Sequence, residues 1–414
     1  MMKKSISFVS LTQIFPPRSG GEIRSSNLIG SLSDDGYQVN VYCLTGRKKD
    51  YVKPHITVKR QEITPSIEQI IYVNPMTGLL QYLCYRLNFP NIWASSLLLR
   101  LGLPRSFKKQ ISDGGLVIID TPHAINISNY VERNRLFLLS HNVEKDCWKQ
   151  RGFGWLKALV AHRHEKKSAK KVSTVMTCEK TESFYYRQLG ASDVIVIPND
   201  ARHISFPQKK SEYYEKIRDF LGVDRDELLV LFSASRYEPN VEAFNFLRQF
   251  ISENFYELKI LRYRFLVAGS VCDRPFEESL LIATGAVGDI KPYFLAADCA
   301  INPVIHGSGT NVKIAEYLRT KLPILSTSFG ARGYRFKHNV DGLLFERSNM
   351  MEALQRFSIL DPQERNRLGN SCYMNNAQLL SMDNAVRQML VPRIQTIAEL
   401  KSSLNSGRQE GCSA

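Results

Sequence analysis

Segments with a β-strand pattern alternate with segments of helical pattern through most of the chain, and this alternation restricts the fold more than any other feature. Near the start, the apolar run Ser5–Leu11 precedes a proline- and glycine-containing loop, a helical pattern over Glu22–Asp34 and a second strand pattern over Gln38–Leu44. A strand, a glycine-containing loop, a helix and a strand in this order predict a βαβ unit with parallel strands. The fold class is therefore predicted to be α/β.

A second alternation follows a polar stretch between Ala201 and Asp226. A length of 414 residues suits two domains with separate cores. We predict an N-terminal domain over residues 1–205 and a C-terminal domain over residues 206–382, joined within the polar stretch. A helix over about residues 383–400 is predicted to pack back on the first domain, and residues 402–414 are expected to be disordered. In the second half, strands are predicted at Leu228–Phe232, Arg264–Ala268, Cys299–Pro303 and Pro323–Thr327, and helices at Val241–Asn254 and Asn311–Arg319.

The formal net charge of +15 requires an explanation in terms of partners rather than fold. The candidates are an anionic membrane surface, nucleic acid and phosphate-bearing substrates; the alternative is a basic, solvated surface without a specific partner. The chain contains no helix-turn-helix, zinc-finger or RNP-like pattern, and its basic residues form no single long tract. We therefore predict no nucleic-acid partner.

The eight cysteines are scattered, with no CxxC pair and no spacing typical of zinc ligands. This pattern suits a reducing compartment, and no metal site is predicted from it. The apolar run after Met1-Met2-Lys3-Lys4 is short, contains Ser7 and Ser10 and reaches Pro16-Pro17 without a cleavage site. It is interpreted as a buried strand rather than a signal peptide, and a cytoplasmic location is expected.

The segment between Leu79 and Lys109 combines apolar and aromatic residues with arginines and lysines. Its most apolar part, Leu87–Leu99, is interrupted by Pro90 and is shorter than the roughly 20 residues that a membrane-spanning helix needs. A basic, apolar segment of this kind can lie on an anionic leaflet. The alternative is a pair of core helices with solvated basic faces.

The stretch from Asn302 to Glu316 has the pattern of a ligand site. A strand ends at Pro303, a turn with Gly307 and Gly309 follows, and a helix is predicted to begin near Thr310 as its N-cap. Open parallel sheets bind ligands at the carboxyl ends of their strands, and helix N-termini there present free N–H groups that suit phosphate. The glycines allow the backbone to approach a ligand closely.

Lys313 and Glu316 are three residues apart and share one face of this helix. A lysine in the first turn opposes the helix dipole, so Lys313 is unfavourable there unless an anion lies nearby. The carboxylate of Glu316 can accept hydrogen bonds from two hydroxyl groups, such as those of a ribose. The alternative is an ordinary lysine–glutamate surface pair after a glycine turn.

Several segments, taken in their order and spacing, resemble the retaining GT-B glycosyltransferases of the family 4 group. The resemblance covers most of the chain and is weakest from about Cys84 to Gly115. It implies a GT-B fold, in which two Rossmann-like, doubly wound domains face each other across a cleft. The segments are Ser233–Asn245, Gly285–Asp289, Ala297–Pro303, Gly307–Glu316 with Leu322-Pro323-Ile324, Pro16-Pro17-x-x-Gly20-Gly21-x-x-Arg24 and His141-Asn142-Val143-Glu144.

This resemblance implies an enzyme that transfers a sugar from a nucleoside-diphosphate-sugar with retention of configuration. Arg236 and Lys313 would act as catalytic cations around the donor diphosphate, and His141 would lie near the transferred sugar. No metal or other cofactor is expected, because basic residues neutralise the leaving phosphate. The Asp224-Arg225-Asp226 triplet precedes a strand and is interpreted as a solvated turn. The donor would also contact Gly20, Gly21, Gly285, Val287, Asp289, Gly307, Ser308, Gly309, Thr310 and Glu316.

The resemblance also implies an acceptor site in the N-terminal domain. If the segment between Leu79 and Lys109 lies on a membrane, the acceptor would be a lipid-linked glycan at the cytoplasmic face of the inner membrane. A role in bacterial surface polysaccharide synthesis is expected by association with the family.

Two positions depart from the family pattern. Ser308 occupies the place of a glutamate that commonly lies near the donor sugar, and Asn311 occupies that of a frequent arginine. Two other functions therefore stay open: a sugar-nucleotide-binding pseudoenzyme and a sugar-nucleotide epimerase of the same fold. Single residues also have structural alternatives, since Arg236 could be an exposed cation, His141 a structural histidine and Gly20-Gly21 a βα turn.

Overall fold

The computed structural model describes residues 5–44, 57–73, 79–80, 82–83, 99, 105–112, 115–149, 154–201, 210–307, 311–397 and 399. The chain divides into two compact units. The first consists of Met1–Pro17, Gly21–Pro198 and Ser381–Ala414, and the second of Arg18–Gly20 and Asn199–Leu380. The first unit therefore combines segments from before and after the second.

The described strands of the first unit are β1 Ser5–Ser10, β2 Gln38–Cys43, β3 Thr57–Thr64, β4 Ile67–Val73, β5 Leu116–Ile119, β6 Leu136–Leu139, β7 Thr174–Thr177 and β8 Val194–Val196. They form one sheet in the order β3-β4-β2-β1-β5-β6-β7-β8. β3 is antiparallel to β4, and every other neighbouring pair is parallel. All side chains of β5, β6 and β7 are buried, as expected for a parallel sheet with both faces covered.

Helices cover both faces of this sheet. Alternate residues of β1 face opposite cores: Ile6 and Phe8 pack with Leu28 and Leu32 of the first helix, whereas Val9 packs on the other face. A 3₁₀ helix, Pro122–Asn129, follows β5. The described α-helices are α1 Gly20–Asp34, α2 Arg105–Ser112, α3 Glu144–Lys149, α4 Gly154–Lys171 and α5 Lys180–Gln188.

The described strands of the second unit are β9 Leu228–Ser233, β10 Tyr263–Ala268, β11 Phe276–Glu278, β12 Leu281–Ala283, β13 Cys299–Asn302, β14 Ile324–Thr327 and β15 Leu343–Phe345. Their order in the sheet is β11-β12-β10-β9-β13-β14-β15, and only β11 is antiparallel to its neighbour among these strands. The helices are α6 Lys210–Leu221, α7 Glu238–Glu253, α8 Phe255–Ile260, α9 Lys291–Ala296, α10 Val312–Arg319, α11 Met350–Ser358 and α12 Pro362–Asn376.

The chain then returns to the first unit through α13, Met382–Ala385, and a π-helical turn, Val386–Leu390. Met382, Val386 and Leu390 recur at every fourth position and lie in the same core as Ile6 and Phe8. Two ion pairs, Arg387–Asp35 and Arg393–Asp193, also connect this segment to the rest of the first unit.

The predicted alternation of strands and helices in two parallel sheets is confirmed, with local differences. Helix α7 begins at Glu238 rather than Val241. The hairpin β3–β4 was missed, because this edge pair carries polar residues such as Lys59 and Glu62. Helix α1 begins at Gly20 rather than Glu22. Helix α6 occupies part of the polar stretch predicted to be a linker, where the buried Arg218 binds Asp298 at 2.9 Å. Among the described helices, none is long and apolar enough to cross a membrane.

Candidate active site

In the second unit, the strand order reverses between β9 and β13. The chain places β10 and β12 on one side of β9 and then β13, β14 and β15 on the other. The crevice outside the carboxyl ends of two such strands is the usual ligand site of an open α/β sheet. Two loops leave the sheet at this point: one connects β9 to α7 and contains Arg236, and the other connects β13 to α10, which contains Lys313 and Glu316.

Lys313 is buried in the first turn of α10, with 8% of its surface exposed. Its Nζ donates to Oδ1 of Asn240 at 2.7 Å and lies 4.4 Å from the centre of the Phe232 ring. Burial lowers the pKa of Lys313 to about 7; the charge of Glu316 opposes this shift and that of Arg332 adds to it. Desolvation and the helix dipole both disfavour the charged lysine, so the conflict predicted from the sequence is present in the folded chain.

Glu316 lies one turn further along α10 and is also buried, with 6% of its surface exposed. The next residue, Tyr317, accepts a hydrogen bond from the backbone N–H of Ser233 at 2.9 Å through its hydroxyl oxygen. This contact fixes α10 against the end of β9. The structure therefore brings Lys313 and Glu316 together at the strand-order reversal; their roles toward a donor stay predictions.

The loop between β13 and α10 is held by contacts around Gly307. The φ angle of Gly307 is +135°, a value that favours glycine, and a Cβ on it would lie 3.5 Å from Cγ of Pro239. The preceding His306 lies between two carboxylates, 4.0 Å from Glu238 and 3.8 Å from Glu242. The chain thus passes close to the start of α7 before it reaches α10.

Three residues of this loop that were predicted to contact the donor, Ser308, Gly309 and Thr310, lie outside the described residues. The predicted start of the helix is wrong by one residue: α10 begins at Val312 rather than Asn311, and its N-cap is Asn311 rather than Thr310. Asn311 donates instead to the carbonyl of Gly330 at 2.7 Å, which ties the helix to the loop after β14.

A second cation, Arg332, lies near Gly307 and was missed by the sequence analysis. Its Nη2 is 3.7 Å from the position that a Cβ on Gly307 would take. The guanidinium stacks 3.9 Å from the centre of the Phe329 ring and donates to the Phe329 carbonyl at 2.9 Å. Because Arg332 comes from the loop after β14, its proximity to Lys313 depends on strand order and is not visible in sequence spacing.

Arg236 lies in the loop after β9, at the same sheet edge as Lys313. Its backbone N–H donates to Oγ of Ser270 at 3.1 Å, and its guanidinium forms an ion pair with Asp273. Both side chains of the pair are exposed, by 65% and 75%. The predicted role of Arg236 at a diphosphate therefore requires it to exchange Asp273 for the ligand.

Gly285, Val287 and Asp289 lie in the loop after β12, also at the carboxyl edge of the sheet. The carbonyl of Gly285 accepts a hydrogen bond from Gly269 at 3.1 Å, and Gly285 has a φ of +67°. Oδ1 of Asp289 accepts a hydrogen bond from the N–H of Lys291, the first residue of α9, at 3.0 Å. The β12–β10–β9 order places this loop two strands from Phe232, and its contact with a nucleotide base stays a prediction.

The sheet of the first unit has an equivalent reversal between β1 and β5, and a buried hydrogen-bond network lies at the ends of these strands. Asp120, directly after β5, accepts hydrogen bonds from Nε2 of His141 at 2.9 Å, from Oγ of Ser10 at 2.8 Å and from Oγ of Ser25. Among the described residues, Nδ1 of His141 is buried and has no hydrogen-bond partner. With Nε2–H donated to a carboxylate, Nδ1 of the neutral ring is the acceptor.

The glycine pair at the start of α1 lies beside His141: a Cβ on Gly21 would be 3.9 Å from Nδ1 of the ring. Gly20 is the first residue of the same helix. One turn further, Arg24 is 2% exposed. Burial raises the pKa of Glu182 to about 7, and the charge of Arg24 opposes this rise. The structure thus brings Gly21 and His141 together, and it adds Asp120, which the sequence analysis missed.

Other predictions concern regions away from these sites. Asp226 precedes β9, at the amino edge of the sheet, and forms an ion pair with Arg262.

The segment between Leu79 and Lys109 continues into helix α2, whose residues Phe107 and Ile111 are in the core. By contrast, Leu79, Tyr82 and Leu83 are 55%, 48% and 44% exposed. The predicted apolar part Leu87–Leu99, apart from the buried Leu99, and the tail 402–414 lie outside the described residues. No group of metal-ligating side chains is found in the described part of the chain.

The solved structures most useful for comparison match nearly the whole chain at low identity. Sucrose-phosphate synthase from Thermosynechococcus elongatus is 14% identical, with a TM-score of 0.66 over 96% of this chain and 100% of that one. A trehalose-6-phosphate structure from E. coli bound with UDP-2-fluoro glucose is 12% identical, with a TM-score of 0.66 over 94% and 99%. A UDP-forming alpha,alpha-trehalose-phosphate synthase from Burkholderia xenovorans in complex with glucose-6-phosphate is 11% identical, with a TM-score of 0.63 over 95% and 100%.

These similarities establish the GT-B fold, which confirms the predicted fold class. The family model for Glycosyl transferases group 1 matches residues 228–358, from the start of β9 to the end of α11. The matched segment contains Lys313, Glu316 and Arg332. The chain is accordingly a glycosyltransferase. No curated protein sequence matches it significantly.

Proposed function

We propose that the protein transfers a sugar from a nucleoside-diphosphate-sugar to a glycan or lipid-linked acceptor, with retention of configuration, as a member of the family 4 group. The observation that carries the proposal is the buried Lys313 beside Glu316 at the strand-order reversal of the second unit. A buried ammonium group in the first turn of a helix suits an anionic ligand, and the neighbouring carboxylate suits hydroxyl groups. UDP-2-fluoro glucose in a similar structure supports a uridine nucleotide as the first to test.

The reaction breaks the bond between the anomeric carbon and the diphosphate oxygen, and negative charge grows on that oxygen. Lys313 stabilises this charge, Arg236 and Arg332 add to the positive field, and no metal is needed for the neutralisation. Retention follows if the acceptor hydroxyl attacks from the face that the diphosphate leaves and gives its proton to the departing oxygen. His141, oriented by Asp120, offers Nδ1 to a sugar hydroxyl.

The proposed setting is the cytoplasmic face of a bacterial inner membrane, in surface polysaccharide synthesis. The net charge of +15 and the exposed Leu79, Tyr82 and Leu83 support peripheral contact with anionic lipid. Glucose-6-phosphate in a similar structure supports an acceptor that carries phosphate. The second candidate, a sugar-nucleotide-binding pseudoenzyme, is favoured by Ser308 in the place of the usual glutamate.

The test is a calorimetric screen against UDP-, GDP-, ADP- and dTDP-sugars, with Glu316→Ala and, as a matched exposed carboxylate in the same unit, Glu253→Ala. We expect one preferred nucleotide, whose affinity falls about tenfold or more in Glu316→Ala and is unchanged in Glu253→Ala. Proton NMR of the product then gives the anomeric configuration. Binding of a nucleotide-sugar without transfer to any acceptor would favour the pseudoenzyme. Conversion of the donor sugar into its epimer would favour the epimerase, and no binding at all would refute the donor site.

Donor affinity is expected to depend on pH through Lys313. Because its pKa in the free protein is about 7, the lysine is already charged below neutral pH, and binding an anion there takes up no proton. Above pH 7, binding must protonate the lysine, so affinity should fall by about tenfold per pH unit. Calorimetry in buffers of different ionisation enthalpy should show proton uptake at pH 8, and Lys313→Met should abolish it. Affinity that stays constant well above neutral pH in the wild type would contradict this linkage.

A further inference from the structure

Helix α4 of the first unit exposes a group of large apolar side chains. Trp155, Leu156 and Leu159 are 71%, 37% and 40% exposed. The opposite side of the helix, including Ala161 and Glu165, is fully buried against the unit. Single exposed apolar residues are ordinary, but a tryptophan and two leucines on adjacent turns of one helix indicate an interaction surface.

The exposed charges along the rest of α4 are all positive. Arg163, Lys166 and Lys170 follow Leu159 at intervals of three or four residues, which places them along the same side of the helix. The single acidic residue of α4 is Glu165, which is buried and accepts hydrogen bonds from the Glu144 N–H and the Tyr185 hydroxyl, both at 2.6 Å. The outer face of α4 therefore presents an apolar first part and a basic second part.

The topology places the apolar part of α4 near the edge of the sheet that carries His141. β6 ends at Leu139, and β7, parallel to β6, begins at Thr174 directly after α4. Helix α4 therefore starts on the carboxyl side of the sheet and runs back toward the amino side. A surface that binds to the beginning of α4 lies on the same side of the unit as the Asp120–His141 network.

We propose that the outer face of α4 docks the protein on an anionic phospholipid bilayer, with Trp155, Leu156 and Leu159 in the interfacial layer and the basic residues on the headgroups. Tryptophan is suited to the interface between headgroups and acyl chains, and lysine and arginine are attracted by an anionic leaflet. The net charge of +15 acts in the same direction. The inference rests on the proposed function in one respect, because the bilayer bound by this face would be the one that carries the lipid-linked acceptor.

The test is co-sedimentation with phosphatidylcholine vesicles that contain or lack phosphatidylglycerol. The wild type should bind only the anionic vesicles, and binding should weaken with added salt, because surface charges are screened. Trp155→Ala and the pair Lys166→Glu and Lys170→Glu should each reduce partitioning about tenfold. Tyr256→Ala is the matched control, since Tyr256 is an 82% exposed aromatic residue of the second unit, and it should bind as the wild type does.

Fluorescence provides an independent readout. A chain with Trp93→Phe and Trp148→Phe keeps Trp155 as its single tryptophan, and its emission should shift to shorter wavelength with anionic vesicles. Equal binding to neutral vesicles, or wild-type binding by Trp155→Ala, would overturn the proposal. So would binding of this face to an acidic polypeptide with no binding to vesicles. Donor nucleotide binding, measured on the same samples, separates failure of docking from failure of the proposed function, because Trp155→Ala leaves the second unit unchanged.

Discussion

The Lys313→Met variant is expected to transfer sugar about 10²–10³-fold more slowly than the wild type, with an increased donor KM. Methionine keeps much of the apolar stem that packs near Phe232 but removes the ammonium group that neutralises the leaving diphosphate. A cation that acts on developing charge affects the transition state more than the bound donor, so kcat should fall together with kcat/KM. Steady-state kinetics with the preferred donor measures both parameters.

The same variant should not lose stability at neutral pH. Burial holds the pKa of Lys313 at about 7, below the 10.5 of an exposed lysine, so the unfolded chain binds more protons than the folded chain between these values. At neutral pH, the buried lysine therefore lowers the free energy of unfolding. This penalty becomes smaller as the pH rises toward 10.5, and methionine removes it. Lys259→Met, at an exposed lysine in α8, is the control and should keep wild-type kinetics. A destabilised Lys313→Met protein, or one with unchanged kcat, would contradict the assignment.

Replacement of Asp120 by asparagine is expected to reduce kcat by about 10–100-fold, as is typical for a group that orients a functional histidine. The Asp120 carboxylate accepts from Nε2 of His141 at 2.9 Å and from Ser10 and Ser25. Asparagine removes the charge and one acceptor, so the ring loses the partner that directs Nδ1 toward Gly21. The rate of transfer at saturating donor is the measurement.

Two comparisons separate this effect from a loss of folding. Asp120→Asn combined with His141→Ala should be no slower than His141→Ala alone, because the aspartate acts through the histidine. Asp193→Asn, which weakens the ion pair with Arg393 elsewhere in the same unit, should change thermal stability more than kcat. Additive losses in the double variant would indicate that Asp120 contacts the substrate directly.

The sequence predicts which residues share one face of a helix, but it does not predict which residues of separate elements the strand order brings together. Lys313 and Glu316 were found because three residues separate them on α10. Asn240, in the first turn of α7, and Arg332, in the loop after β14, were missed because only the strand order brings them to Lys313. Asp120 follows β5 directly, and a polar residue immediately after a buried strand is the signal that could have identified it.

The same reasoning explains the differences in the fold. Strongly apolar, buried strands such as β5 and β6 were predictable, whereas the polar edge hairpin β3–β4 has no comparable pattern. The polar sequence of α6 predicts a linker, yet Arg218 is 1% exposed and donates hydrogen bonds to Asp298 and to the carbonyls of Asp224 and Glu227. In the sequence, this buried arginine could not be distinguished from an exposed one.

The segment Ser381–Ala414, which returns to the first unit, has a consequence for the order in which the protein can fold during synthesis. Met382, Val386 and Leu390 complete the core that β1 and α1 begin, and the ribosome makes them only after the whole of the second unit. The second unit, apart from Arg18–Gly20, is continuous and can close as soon as Leu380 has emerged. The first unit precedes it on the nascent chain and must wait with part of its apolar surface uncovered. Chaperones bind chains in such a state, and truncated products aggregate from it.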